Sequence, residues 1–167
     1  MTASGETATI YVQASGSITE DSDATADLDA GGLITLSAGS DLGTSSNRLD
    51  ITAGDRLSAT STDGSIYLHG LGALTVQEAT ANSGTADILS DGTLTATTIN
   101  TQSANLQASS GGIAATTINA TNGATLLASA GDINTGTLTS TGNVSIHAVS
   151  GNVILGQVTA SGETATI

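Results

Sequence analysis

Five acids fall within ten residues at Glu20-Asp21-Ser22-Asp23-Ala24-Thr25-Ala26-Asp27-Leu28-Asp29, and four of them, Asp21, Asp23, Asp27 and Asp29, recur at i, i+2 spacing. Carboxylates so spaced are hard oxygen donors, and Ca²⁺ takes six to eight such oxygens. The stretch lacks the glycine and the terminal glutamate of an EF-hand loop, and no G-G-x-G-x-D nonapeptide occurs. It reads either as a Ca²⁺ site built on Asp21, Asp23, Asp27 and Asp29 or as a solvated acidic loop.

The other titratable residues are sparse. His69 and His147 each follow an apolar residue at comparable places in a repeated unit, so both are expected to point outward. Four units of stacked chain separate them, about 19 Å, too far to share a metal or act as a catalytic pair. Glycoside cleavage needs paired carboxylates in a cleft, with aromatics for sugar stacking, and a lyase needs a basic residue. The chain has two Tyr, no Phe or Trp, and Arg48 and Arg56 as its only cations besides histidine. Asp41, Asp55 and Asp132 lie beside glycines, where turn geometry by itself favours Asp. No enzyme is expected.

Thr-x-Thr pairs such as Thr93-Leu-Thr95, Thr137-Leu-Thr139 and Thr7-Ala-Thr9 raise ice binding, but Ile34-Thr-Leu36 and Ile66-Tyr-Leu68 interrupt the array. Thr is in any case a favoured outward strand residue. A net charge of −13 argues against nucleic acid and anionic membrane surfaces, because phosphate neutralisation needs clustered Lys or Arg. No apolar run reaches the ~20 residues of a membrane helix. There is no cysteine, which excludes disulfides and thiolate metal sites. No basic region followed by an apolar one opens the chain, so a secretion signal is expected outside this segment.

The elements that must position these residues are read from an internal repeat. Gly92-Thr-Leu94, Gly112-Ile113, Gly131-Asp-Ile133 and Gly151-Asn-Val153 each open a unit, and Ala-Thr-Thr-Ile-Asn recurs at 96–100 and 115–119. Leu106, Leu126 and Ile146 are each followed two residues later by Ala and then by a closing glycine. Apolar residues alternate with Thr, Ser, Asn or Gln over three to five positions, as in Val144-Ser-Ile146-His-Ala148, which is the pattern of strands with one face buried. Traced back through Gly16, Gly39, Gly54, Gly70 and Gly92, the glycine steps are 23, 15, 16 and 22, and then 19 or 20 residues. Short strands that cannot each bury a core are stabilised by stacking, so a parallel β-solenoid of about eight rungs is expected. Two excursions are expected from the longer steps, at 20–29 and at 77–87.

Residues 2–10, Thr-Ala-Ser-Gly-Glu-Thr-Ala-Thr-Ile, are identical to residues 159–167. The offset of 157 residues equals eight of these units, so residues 1–167 read as one period of a tandem array plus the first strand of the next copy. Residue 159 is expected at the angular position of residue 2.

The unit of 19–20 residues, with G-x-[ILV], a Thr/Asn-rich middle, [ILV]-x-A and a closing Gly, resembles the β-helix repeat of filamentous-haemagglutinin-like exoproteins and giant surface adhesins of bacteria. The resemblance implies a right-handed, single-stranded parallel β-helix with uncapped ends, secreted or displayed at the cell surface. It implies a structural segment of a fibre or adhesin stalk whose partner is a further copy of itself, joined head to tail. The alternative is a binding module whose 20–29 or 77–87 excursion takes Ca²⁺, a glycan or a receptor.

Overall fold

The structure is a computed structural model that describes every residue except 22–24, 55 and 163, together with all side chains in those described residues but that of Ala165. Asp23 and Asp55 therefore lie outside the described residues. The chain is all β among those residues. In order the strands are β1 (Thr2–Ala3), β2 (Ile10–Ala14), β3 (Leu28–Ala30), β4 (Leu33–Ala38), β5 (Leu49–Ala53), β6 (Arg56–Ser61) and β7 (Ile66–Gly70). They continue as β8 (Leu74–Ser90), β9 (Leu94–Ala108), β10 (Ile113–Ala128), β11 (Ile133–Ser140), β12 (Asn143–Ala148), β13 (Val153–Ala160) and β14 (Ala165–Thr166).

All pairings are parallel, and they stack the chain into a β-solenoid of about seven turns with two faces. The front face runs β2, β4, β6, the leading parts of β8, β9 and β10, then β11 and β13. The rear face runs β1, β3, β5, β7, the trailing parts of β8, β9 and β10, then β12 and β14. The long strands β8 to β10 turn the corner between faces without losing strand pairing; register shifts at Ala81/Thr85 and Ala120/Gly123 mark the bends.

Strand alternation sends every second side chain inward, and in-register parallel pairing aligns those side chains into columns along the axis. One front column is Ile10, Ile34, Leu57, Val76, Ala96, Ala115, Thr135 and Leu155. On the rear, Leu49, Leu68, Ile88, Leu106, Leu126 and Ile146 stack in the same way, and all six are buried. Each such Leu or Ile contributes roughly 1.5–3 kcal/mol. With no Phe or Trp in the chain, the aliphatic columns fill a narrow interior.

The rung lengths differ from the glycine count. Along the front column the long steps are Ile10 to Ile34 and Ile34 to Leu57, and every step from Leu57 onward is shorter and nearly constant. Gly39 sits at the corner leading from front to rear, where its N–H meets the carbonyl of Ala14. Gly54 sits at the opposite corner, with its N–H on the carbonyl of Ala30. The short step between these glycines thus runs from one corner to the other and does not complete a turn.

The extra residues of the two long turns leave the rear face at the same place. Ile66 and Leu68 are two residues apart, whereas the residues stacked against them, Leu42 and Leu49, are seven apart, and 43–48 forms a loop. One turn earlier, Ile18 stacks on Leu42 and Leu28 on Ile51, and the described residues between them, 19–21 and 25–27, lie outside the strands. The excursion expected at 77–87 is instead continuous strand within β8, because its alternating Ala79, Ala81 and Ala86 point inward and are buried.

The angular expectation for the duplicated ends is also overturned. Thr2 lies on rear strand β1, paired with Asp29, whereas Thr159 lies on front strand β13, paired with Thr139. Among the described residues no helix is long and apolar enough to cross a membrane.

Candidate functional site

The 43–48 loop and the described acids Glu20, Asp21 and Asp27 lie beside the rear face where its outward residues are charged. The 43–48 loop is held by its own backbone: Thr44 N–H donates to the carbonyl of Asn47 at 2.7 Å, and Asn47 N–H returns to Thr44 Oγ1 at 3.0 Å. Gly43 begins it with φ of +67°, and a Cβ there would lie 2.5 Å from the carbonyl oxygen of Tyr67, so only glycine fits.

Arg48 leaves this loop and reaches two turns along the face, donating from one terminal guanidinium nitrogen to Asp87 Oδ2 at 2.5 Å. Asp87 Oδ1 accepts from the side-chain amide of Asn105 at 2.9 Å, one turn further on. Beside this pair, His69 is strung between two carboxylates: Nδ1 is 2.9 Å from Asp50 Oδ1 and Nε2 is 3.1 Å from Asp91 Oδ1. Both ring nitrogens are occupied, so His69 has none free for a substrate. His147 lies four turns away in the same outward column, through Leu89, Gln107 and Leu127. The expected separation of the histidines holds.

On the other loop, Glu20, Asp21 and Asp27 bring carboxylate oxygens within 4.8 Å of one another. Asp27 Oδ2 also accepts the backbone N–H of Asp50 at 2.8 Å. The Asp27 carboxyl is held above its ordinary value, first by burial and then by the neighbouring charges of Glu20, Asp50 and Asp21, against the lowering effect of the Asp50 N–H. Of the four acids singled out in the sequence, Asp21 and Asp27 come together. Asp29 does not: it lies in β3 and borders a hollow at the N-terminal end with Thr2 and Glu6. The three clustered carboxylates hold six oxygens between them, against the six to eight that Ca²⁺ takes, and one oxygen of each is close to the others.

Between the loops and the face is a cleft of about 240 Å³ lined by Glu20, Ser46, Arg48, Asp50, His69 and Leu89 among others. Three buried side-chain polar atoms lack a hydrogen-bond partner among the described residues; two of them, Glu20 Oε2 and Arg48 Nε, belong to side chains that line the cleft but are themselves shielded from solvent. Sequence reasoning counted Glu20 in the acidic 20–29 stretch and Arg48 as a cation without giving either a partner, and it passed over Asp50, Asp87 and Asp91. A signal was present, since the spacing from Asp50 to His69 is one turn of the repeat, but it becomes legible only when the phase of each turn is known.

Among the described residues no acidic cluster like that of Glu20, Asp21 and Asp27 lies on the front face. Its outward column Glu78, Thr98, Thr117, Thr137 and Gln157 has three consecutive threonines bounded by longer polar side chains. Asn119 donates to Asn100 Oδ1 at 2.9 Å in the next column, a short amide ladder within the strands. No family model, no curated protein and no solved structure matches the chain.

Proposed function

We propose that this chain is a structural segment of a secreted bacterial fibre or adhesin stalk, and that copies add end to end along the solenoid axis. One observation carries the reading. The large apolar side chains that stand exposed among the described residues, Met1, Tyr11, Val149, Ile154 and Ile167, all belong to the end turns. The long middle of the molecule has a closed apolar interior and a mainly polar coat, in which the outward Leu89 and Leu127 are half-buried.

The end strands support it. Front strand β13 pairs with β11 and front strand β2 with β4, so each has one ladder edge without a partner among the described strands. The inward residues of β13, Val153, Leu155, Val158 and Ala160, are only partly buried, whereas their counterparts in the preceding turn are covered. Such an edge is a template for another chain. Each end offers one front and one rear strand, so a second copy can meet β13 with its β2 and β14 with its β1 while both faces stay in phase. Location and bacterial source rest on the repeat's resemblance to exoprotein stalks.

Sedimentation velocity across a concentration series, with electron microscopy of the same samples, tests the proposal. The expected result is concentration-dependent growth into thin filaments. Val158→Lys, which puts an inward charge on the edge strand, should suppress growth with little change in melting temperature. A single monomeric species at every concentration would sink the reading.

A further inference from the structure

We infer that the front face is a surface for lateral self-association, on which two copies pack front to front with their axes antiparallel. The inference rests on the charge and shape of this face and is independent of end-to-end assembly.

Charge singles the face out. Across β2, β4, β6, the leading parts of β8 to β10, β11 and β13, the charged residues are Arg56 and Glu78, whose charges sum to zero. The chain as a whole carries −13, so all of its net charge lies outside the front strands. Two copies therefore repel through every approach but the one that brings their uncharged faces together.

The shape fits the same partner. Thr98, Thr117 and Thr137 stand in one outward column, and Asn100 and Asn119 in the next, so hydroxyl, methyl and amide groups form rows with which a second sheet can interlock. Strands of five to eight residues at a spacing of ~4.8 Å give the face roughly 600–900 Å². A standard specific interface takes about 800 Å² from each partner. Tyr11 on β2 and Ile154 on β13, at the two ends of the face, point outward and are 64% and 51% exposed. A copy added end to end flanks them, whereas a copy laid on the face covers them.

The distribution of acids decides the orientation. Of the 15 acids, only Asp132 and Glu163 lie beyond Asp91. Parallel axes would align the acid-rich halves of two copies. Antiparallel axes set each acid-rich half beside the nearly neutral half of the other, and bring Tyr11 of one copy to the end turn that carries Ile154 in its partner. The pair is then isologous, with its two-fold axis passing between β8 and β9. The centre of the face has no aromatic anchor, so the dissociation constant is expected between about 1 μM and 1 mM.

The chain has no cysteine, so introduced thiols report contacts without background. All variants carry Val158→Lys, which blocks growth at the end strand and isolates the lateral contact. Sedimentation velocity of that variant at up to about 1 mM should show a dimer, strengthened as salt screens the repulsion between copies. Under air oxidation, Thr98→Cys beside the two-fold axis should link copies at least about tenfold faster than Thr125→Cys, exposed on the rear face. In a mixture, Thr35→Cys should couple to Thr137→Cys in preference to itself, because turns equally far from the axis face each other. Thr117→Glu should weaken the dimer at least about tenfold, whereas Thr125→Glu, which adds the same charge to the rear, should not. Monomers at every concentration overturn the inference, even where the unmodified chain grows filaments. Equal linking by Thr98→Cys and Thr125→Cys also overturns it, as does a front face that binds the neutral polysaccharide dextran and no second copy. Self-coupling of Thr35→Cys in the mixture overturns the antiparallel arrangement.

Discussion

Thr2 and Thr159 begin identical nine-residue stretches yet lie on opposite faces of the solenoid, Thr2 against Asp29 on the rear and Thr159 against Thr139 on the front. The chain between them makes about seven and a half turns: half a turn to reach β2, then seven steps from β2 to β13. The same letters therefore serve a rear-to-front corner once and a front-to-rear corner once. In a covalent two-copy chain the loop cleft of the second copy should emerge on the opposite side of the rod, roughly 36 Å along the axis. Cryo-electron microscopy of that two-copy chain checks this; clefts on one side would show that the second copy re-phases its turns.

Thr135 occupies an inward position between Ala115 and Leu155 in the front column and is buried, and its Oγ1 has no hydrogen-bond partner. Thr135→Val keeps the shape and removes the unpaired hydroxyl. Stability should rise by about 1–2 kcal/mol, read as a higher urea midpoint at constant slope. A lowered midpoint would reveal that a bound water satisfies the hydroxyl.

Gly131 has φ of +84°, and a Cβ there would sit 2.8 Å from the backbone nitrogen of Gly112 in the turn below. Gly131→Ala should cost about 1–3 kcal/mol. Gly16, with nothing within 4 Å of its Cβ position, provides the contrast. Gly16→Ala should change stability by less than about 0.5 kcal/mol. Equal effects at both sites would contradict the close stacking of corners.

Asp27 predicts a pH dependence of definite sign. Its carboxyl is raised in the folded state above the ordinary 3.8, so the folded chain holds this proton to higher pH than the unfolded one. The contribution to stability is fully present below the ordinary value and is lost as pH rises through the raised one. At neutral pH the ionised group is a burden. Asp27→Asn keeps an acceptor for the Asp50 N–H, and should raise the melting temperature at pH 7 by about 1–3 °C. It should also flatten the decline of stability just above pH 3.8. A variant that melts lower at pH 7 while keeping that decline would exclude Asp27 as its source.

Much of the architecture was legible because it is local. Val144-Ser-Ile146-His-Ala148 declares its buried and exposed sides by alternation alone, and β12 follows it. From Leu94 onward the turns match the repeat to within a residue, since each turn has the same two strands and the same corner glycines. The first half was misread for an equally physical reason. A corner glycine marks a close approach of backbones, but both corners use one, and nothing local distinguishes Gly39 from Gly54. The loop at 43–48 stayed hidden because Gly43-Thr-Ser-Ser-Asn47 has the composition of its surroundings, whereas 77–87 resembled a loop only by the length of the step containing it. Of the acidic cluster, Asp21 and Asp27 were visible as a run of charge, but Glu20's place in the cleft depends on the turn above it.

By itself the sequence determined that the chain is a parallel solenoid with an aliphatic interior, a strongly acidic and cation-poor surface, and histidines four turns apart. Those properties follow from side-chain alternation, composition and period, which act within a turn or between adjacent turns. Only the tertiary structure decided the phase: that the duplicated ends stand seven and a half turns apart, that the two loops leave from one place, and that Arg48 meets Asp87 while His69 lies between Asp50 and Asp91. Phase is a sum over all turns. A few residues misassigned at one corner move every later side chain around the rod, and with it every pairing between turns on which the cleft depends.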